Sequence, residues 1–123
     1  MEEVPYYMLS NTALEELVMP EGIEILKGTA FEKCSNLKEV TLPSTLTTIE
    51  YGVFNDCVNL EKIVCRGNTP PNINITNSDK AFENVKANGV LYVPVGTEEA
   101  YSAWIALEEN GLSNWTIQEL SKE

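Results

Sequence analysis

The chain has 123 residues, with 8 Lys and Arg against 19 Asp and Glu, for a net charge of −11 at pH 7. This length suits one domain burying roughly two thirds of its unfolded surface, and 43% apolar content is ordinary for a folded protein, so the acidity does not signal disorder. Such a surface repels a phosphate backbone, which argues against nucleic acid as a partner, and the absence of His removes the commonest general base and metal ligand.

The N-terminal Met1-Glu2-Glu3-Val4-Pro5 is acidic where a signal peptide needs a basic end and an apolar core. No apolar run approaches the roughly 18 residues of a membrane span, so no membrane insertion is expected. The chain therefore reads as a soluble protein or the mature part of a longer one. Residues 5–11 resemble the second half of a repeat whose strand is missing, which makes residues 1–13 a partial repeat. If upstream repeats are absent, the first coil, with Tyr6 and Tyr7, exposes its apolar face, which predicts either end-to-end self-association or a longer native protein.

Residues 14–36 and 37–59 are two copies of one 23-residue pattern, L-x-E-[LV]-x-[ML]-P-x-x-[IL]-x-x-[LI]-x-x-x-[AV]-F-x-x-C-x-N. The identities are Leu14/Leu37, Glu16/Glu39, Pro20/Pro43, Phe31/Phe54, Cys34/Cys57 and Asn36/Asn59. A third copy, residues 60–89, begins at Leu60 and carries Ile63 and Cys65 in the strand-core slots. Its Ala81-Phe82 pair comes five residues later than the spacing requires. The extra length is assigned to residues 67–79, a Pro-, Asn-, Thr- and Ser-rich run that reads as a loop.

A period in this range implies one short strand per turn of a solenoid, each coil stacked on the next at about 4.8 Å. Leu17, Val40, Ile63 and Leu91 then form one inward column, and Met19, Leu42, Cys65 and Val93 the next. Phe31, Phe54 and Phe82 form an aromatic ladder on the opposite wall. The prolines follow the strands, where a missing amide costs least.

Residues 90–120 read as a C-terminal cap. A strand at 90–94 ends in the same apolar-Pro step as the earlier ones. Thr97 is then placed as an N-cap hydroxyl before Glu98 and Glu99, whose charges favour a helix start. Tyr101, Trp104 and Ile105 provide an apolar stripe, Asn110-Gly111 a stop, and Trp115 with Ile117 a closing strand. These aromatic residues are read as cap packing rather than as a carbohydrate platform.

Three outward columns lie between the inward ones: Glu15/Lys38/Glu61, Glu16/Glu39/Lys62 and Val18/Thr41/Val64, the last extended by Tyr92. Val18, Thr41, Val64 and Tyr92, with Arg66 nearby, form a candidate binding face. Strand pairing alone also explains β-branched residues there, and Glu16 beside Glu39 is an unfavourable like-charge pair. The 67–79 run is the second candidate, with Asn72, Asn74, Asn77 and Asp79 as the residues of a binding loop. With one carboxylate among its oxygen donors it makes a poor calcium site, and no metal or cofactor is expected.

Three cysteines without a C-x-x-C pair suggest neither a disulfide framework nor a zinc site. Cys34 and Cys57 occupy one slot in adjacent coils, within disulfide range, but parallel side chains favour buried thiols. No catalytic or phosphate-loop motif is present, so no enzyme is expected. Two glycosylation sequons, Asn74-Ile75-Thr76 and Asn114-Trp115-Thr116, matter only in a eukaryotic secretory route.

The Leu-x-x-Val-x-Leu-Pro and Ala-Phe-x-x-Cys-x-Asn-Leu arrangement resembles the BspA-type leucine-rich repeat of bacterial surface proteins. The tail, 90–97 followed by a helix and Trp115, is similar to their usual ending. The resemblance implies an α/β repeat fold: a right-handed leucine-rich-repeat solenoid of short parallel strands with a C-terminal helix-strand cap. It also implies a secreted or cell-surface location and non-catalytic binding of a host or microbial surface macromolecule, protein or glycan, as in adhesion. A purely architectural segment that caps or spaces a longer array is the alternative.

Overall fold

The computed structural model describes residues 2–4, 15–28, 31, 33–50, 52–74, 82, 84–86, 88–106, 112 and 114–120. Among the described residues, nine strands and one helix follow in chain order: β1 (Glu2–Val4), β2 (Glu16–Val18), β3 (Ile23–Leu26), β4 (Glu39–Leu42), β5 (Thr48–Glu50), β6 (Lys62–Cys65), β7 (Asn72–Asn74), β8 (Val90–Val93), α1 (Glu98–Ile105) and β9 (Thr116–Glu119). They build a solenoid with two parallel sheets, β2-β4-β6-β8-β9 and β1-β3-β5-β7.

The register follows the repeat. Leu17 pairs with Val40, Val40 with Ile63, Ile63 with Leu91 and Leu91 with Ile117. Val40, Ile63 and Leu91 are fully buried, and Leu42 pairs with the buried Cys65 in the next column. Each coil thus supplies the apolar surface that its neighbour covers.

The expectation of one strand per turn is corrected to two. Leu26, Ile49 and Ile73 stand side by side in β3, β5 and β7 and put one apolar residue per turn into the second wall. Extended backbone at these positions pairs from coil to coil and so satisfies its polar groups.

The 67–79 run is accordingly not all loop. Asn72–Asn74 is strand β7, in register with β5, and the Asn72 amide donates to the Thr47 carbonyl at 2.8 Å. Ile49 pairs with Ile73, twenty-four residues on, whereas Phe54 stacks on Phe82, twenty-eight residues on. Four of the five extra residues therefore fall between Ile73 and Phe82, after the strand.

The aromatic ladder stands as expected. Phe31 and Phe54 are stacked at 5.4 Å between ring centroids, and Phe54 and Phe82 at 5.1 Å. The chain turns two residues after each ring, at Lys33, Asp56 and Asn84, with φ of 62°, 63° and 65°. The turns are tied across coils: Phe31 N–H to Val53 C=O at 2.9 Å, Lys33 N–H to Asn55 C=O at 2.8 Å, and Asn84 Nδ2 to Asp56 Oδ1 at 2.8 Å.

Helix α1 closes the end of the stack. Trp104 meets Phe82 edge-on and donates through Nε1 to the Pro71 carbonyl at 2.8 Å, while Tyr101 donates its hydroxyl to Gly67 C=O at 2.7 Å. These aromatic residues are buried as cap packing. Thr97 does occupy the N-cap position, but its hydroxyl makes no cap bond to the helix. It donates instead to the Pro94 carbonyl at 2.7 Å, which tightens the turn entering α1. Residues 5–11, with Tyr6 and Tyr7, and Asn110-Gly111 lie outside the described residues.

Candidate functional site

The outer face of the five-stranded sheet is made by alternate residues of its strands. Val18, Thr41, Val64, Tyr92 and Gln118 are consecutive partners across it, so the expected column exists and runs onto the cap. Its exposure is uneven. Val18 is 54% exposed and Val64 and Tyr92 are half-buried, but Thr41 is only 5% exposed. Thr41 is thereby corrected as a contact residue: it stands in the middle strand between its partners Val18 and Val64 and is almost inaccessible.

Charge around the column is organised by Lys62. Its ammonium lies 5.0 Å from the centre of the Tyr92 ring and 3.7 Å from Glu39 Oε2. Glu16 and Glu39 are indeed partners, and Lys62, the next residue in that row, offsets the repulsion. Exposed pairs of this kind add little stability, but they hold an aromatic ring and an ammonium side by side on the face. An open groove of about 410 Å³ beside them includes Glu61, Lys62, Lys86 and Tyr92 in its lining. Lys86 lies 2.9 Å from Glu61 and holds that carboxyl below its ordinary range. A second groove that also includes Tyr92, of about 240 Å³, reaches Val64, Gln118, Glu119 and Leu120.

Lys62, Glu39, Glu61 and Lys86 were not among the candidate residues read from sequence. The Glu39–Lys62 pairing was present in the 23-residue offset. Lys86 sits in the stretched repeat, where that offset no longer applies. Arg66 is exposed just past β6, and its charge acts on Glu21. Hydrogen bonds from the Ser44 hydroxyl and amide are the main cause holding the Glu21 carboxyl low. Arg66 therefore marks the rim of the face.

Of the candidate loop residues, Asn72 is exposed in β7 and Asn74 ends that strand, while Asn77 and Asp79 lie outside the described residues. The loop is thus split between a sheet edge and a segment that is not described. Asn72 helps to line a groove of about 290 Å³ with Thr47, Thr69 and Pro70, on a different part of the molecule from Tyr92.

Cys34, Cys57 and Cys65 are buried thiols. Cys57 donates to the Phe31 carbonyl at 3.2 Å, and contact with Cys34, followed by burial, raises its proton affinity well above the ordinary thiol range. Burial pushes the Cys65 thiol up to about 12. These are properties of core thiols, not of activated nucleophiles. Among the described residues no group of three or more Cys, Asp or Glu side chains converges to hold a metal, and no helix is long and apolar enough to cross a membrane.

No curated protein and no solved structure matches the chain. The family model of the BspA type leucine rich repeat region matches it in six copies over residues 2–120. Repeat modules of this family are typically non-catalytic, and their proteins are typically surface-exposed or secreted. The match spans nearly the whole chain and agrees with the stacked parallel coils, so the chain belongs to the BspA-type leucine-rich repeat family.

Proposed function

We propose that the chain is a non-catalytic binding module of a bacterial secreted or cell-surface protein, and that it contacts a protein or glycan of a host or another microbe. The observation that supports this reading is the exposed sheet face, on which Val18, Val64 and Tyr92 lie in register beside the Lys62 ammonium. A Tyr ring flanked by a cation and aliphatic side chains suits both an interface anchor and a sugar ring. The burial of Thr41, which interrupts the column, favours the second reading, an architectural segment of a longer array.

The test is a screen of the chain against matrix proteins, mucins and a glycan array, with Val64→Lys and Tyr92→Ala run in parallel and folding checked by circular dichroism. A ligand captured by the parent chain and lost in both folded variants supports the sheet face. No ligand, or capture unaffected by either change, sinks it and leaves the architectural reading.

A further inference from the structure

Strand β9 is the last in its sheet, and among the described residues no strand pairs with its outer edge. The amides of Thr116 and Leu120 donate inward, to Gly89 C=O at 3.1 Å and Val93 C=O at 2.7 Å. Strand alternation therefore turns the N–H and C=O groups of Ile117 and Glu119 outward. Beside this edge runs an open groove of about 590 Å³. The strand side contributes Trp115, Thr116 and Ile117, and helix α1 contributes Glu98, Glu99 and Ile105.

The chemistry of the edge differs from that of the coils behind it. In the inward column Val40, Ile63 and Leu91 are fully buried, but Ile117, the next member, is only half-covered. In the adjoining column Leu42, Cys65 and Val93 are buried apolar residues, and the partner of Val93 is Glu119. The Glu119 carboxylate accepts the Gly96 amide at 2.9 Å and retains capacity for a further donor. Another coil of the same pattern would place an apolar residue against this carboxylate, a mismatch that blocks continuation of the stack. A strand with a cation at that position meets no such penalty.

We infer that the outer edge of β9 and its groove form a docking site for an extended basic peptide segment that adds a strand to the sheet. Its apolar residue lies opposite Ile117, and its Lys or Arg, two positions away, lies opposite Glu119. Backbone pairing supplies the affinity, and the Ile117 and Glu119 slots supply the selectivity. Glu98 and Glu99 on the helix wall of the groove beside Ile117, within a chain of net charge −11, add longer-range attraction for a basic segment. This site lies at the end of the solenoid, and Glu119 also borders the groove that reaches Tyr92 on the sheet face.

The probe is the labelled peptide Lys-Thr-Val-Thr-Lys-Thr-Val, whose spacing suits either strand direction, titrated at about 0.15 M salt. Three comparisons accompany it: the same peptide with alternate amides N-methylated, a peptide with Gln in place of Lys, and the variants Ile117→Pro and Glu119→Gln. Ile117→Pro removes an outward amide and the apolar slot while leaving the β8–β9 bonds in place. Glu119→Gln keeps an acceptor for Gly96 but loses the charge.

The expected result is binding that weakens roughly tenfold on N-methylation and in Ile117→Pro. In Glu119→Gln, binding weakens for the Lys peptide but not for the Gln peptide. Absence of binding, or equal binding of the N-methylated peptide, overturns the proposal, because attraction to a negative surface alone ignores backbone donors. If Ile117→Pro fails to fold, the peptide comparison on the parent chain decides.

Discussion

Trp104 stands perpendicular to Phe82, at 80° and 6.2 Å between centroids, whereas each Phe of the ladder lies nearly parallel to the one before it. The change from stacked to edge-on ends the ladder, because the indole offers its rim, not a face, to the last phenyl ring. Trp104→Ala opens this seal, breaks the bond to the Pro71 carbonyl and leaves a cavity over Phe82. The expected loss is about 3–5 kcal/mol, read from urea unfolding; a loss below about 1 kcal/mol would show that the helix does not seal the core.

Gly89 is required by the second cap tryptophan. A Cβ at this position would come within 2.5 Å of the Trp115 ring, while the indole N–H is engaged with the Lys86 carbonyl at 2.9 Å. Gly89→Ala must displace the ring, at an expected cost of about 1–3 kcal/mol. Thermal unfolding measures the cost, and the tryptophan emission spectrum should shift with it.

The three equivalent left-handed turns carry Lys33, Asp56 and Asn84. Asn and Asp adopt that conformation at lower cost than Lys. Lys33→Asn should therefore stabilise the chain by about 0.5–1 kcal/mol, raising the melting temperature by about 2–5 °C. Lys38→Asn, a control outside such a turn, should give no gain in the same scan.

Alkaline pH should weaken the fold. In the folded chain burial pushes Cys65 up to about 12, and Cys57 and Tyr101 are raised as well. The unfolded chain releases its thiol protons near pH 8.5 and so binds fewer protons than the folded one above that point. Stability contributed by the buried thiols is complete below about pH 8.5 and declines as pH rises towards 12. Urea midpoints between pH 7.5 and 10.5 check this, and a flat profile would count against burial of the thiols.

The sheet that carries Leu17, Val40, Ile63 and Leu91 was legible because two adjacent copies share one spacing, which sets register directly. The second sheet was not. Its strands bury chiefly one residue each, Leu26, Ile49 or Ile73, and isolated apolar positions carry no period of two. The insertion was visible in the late Phe82, but its place was misread, because the Asn residues of β7 resemble loop composition. Burial of Thr41 escaped detection because its place in the middle of the sheet, between β2 and β6, decides it, not the residue itself. Thr97 was a correct N-cap position without the cap bond, since its backbone (φ −109°, ψ 8°) lies outside the extended region from which an N-cap oxygen reaches the first-turn amides.

The described backbone hydrogen bonds that join one strand of this sheet to the next run along the axis of the stack, from β2 through β4, β6 and β8 to β9. Tension applied along that axis loads the coil interfaces in series, so the weakest opens first and the others remain closed. A pull across the axis meets many bonds in shear at once. The molecule is therefore mechanically anisotropic: it peels coil by coil under a load from its ends and resists a load from its side.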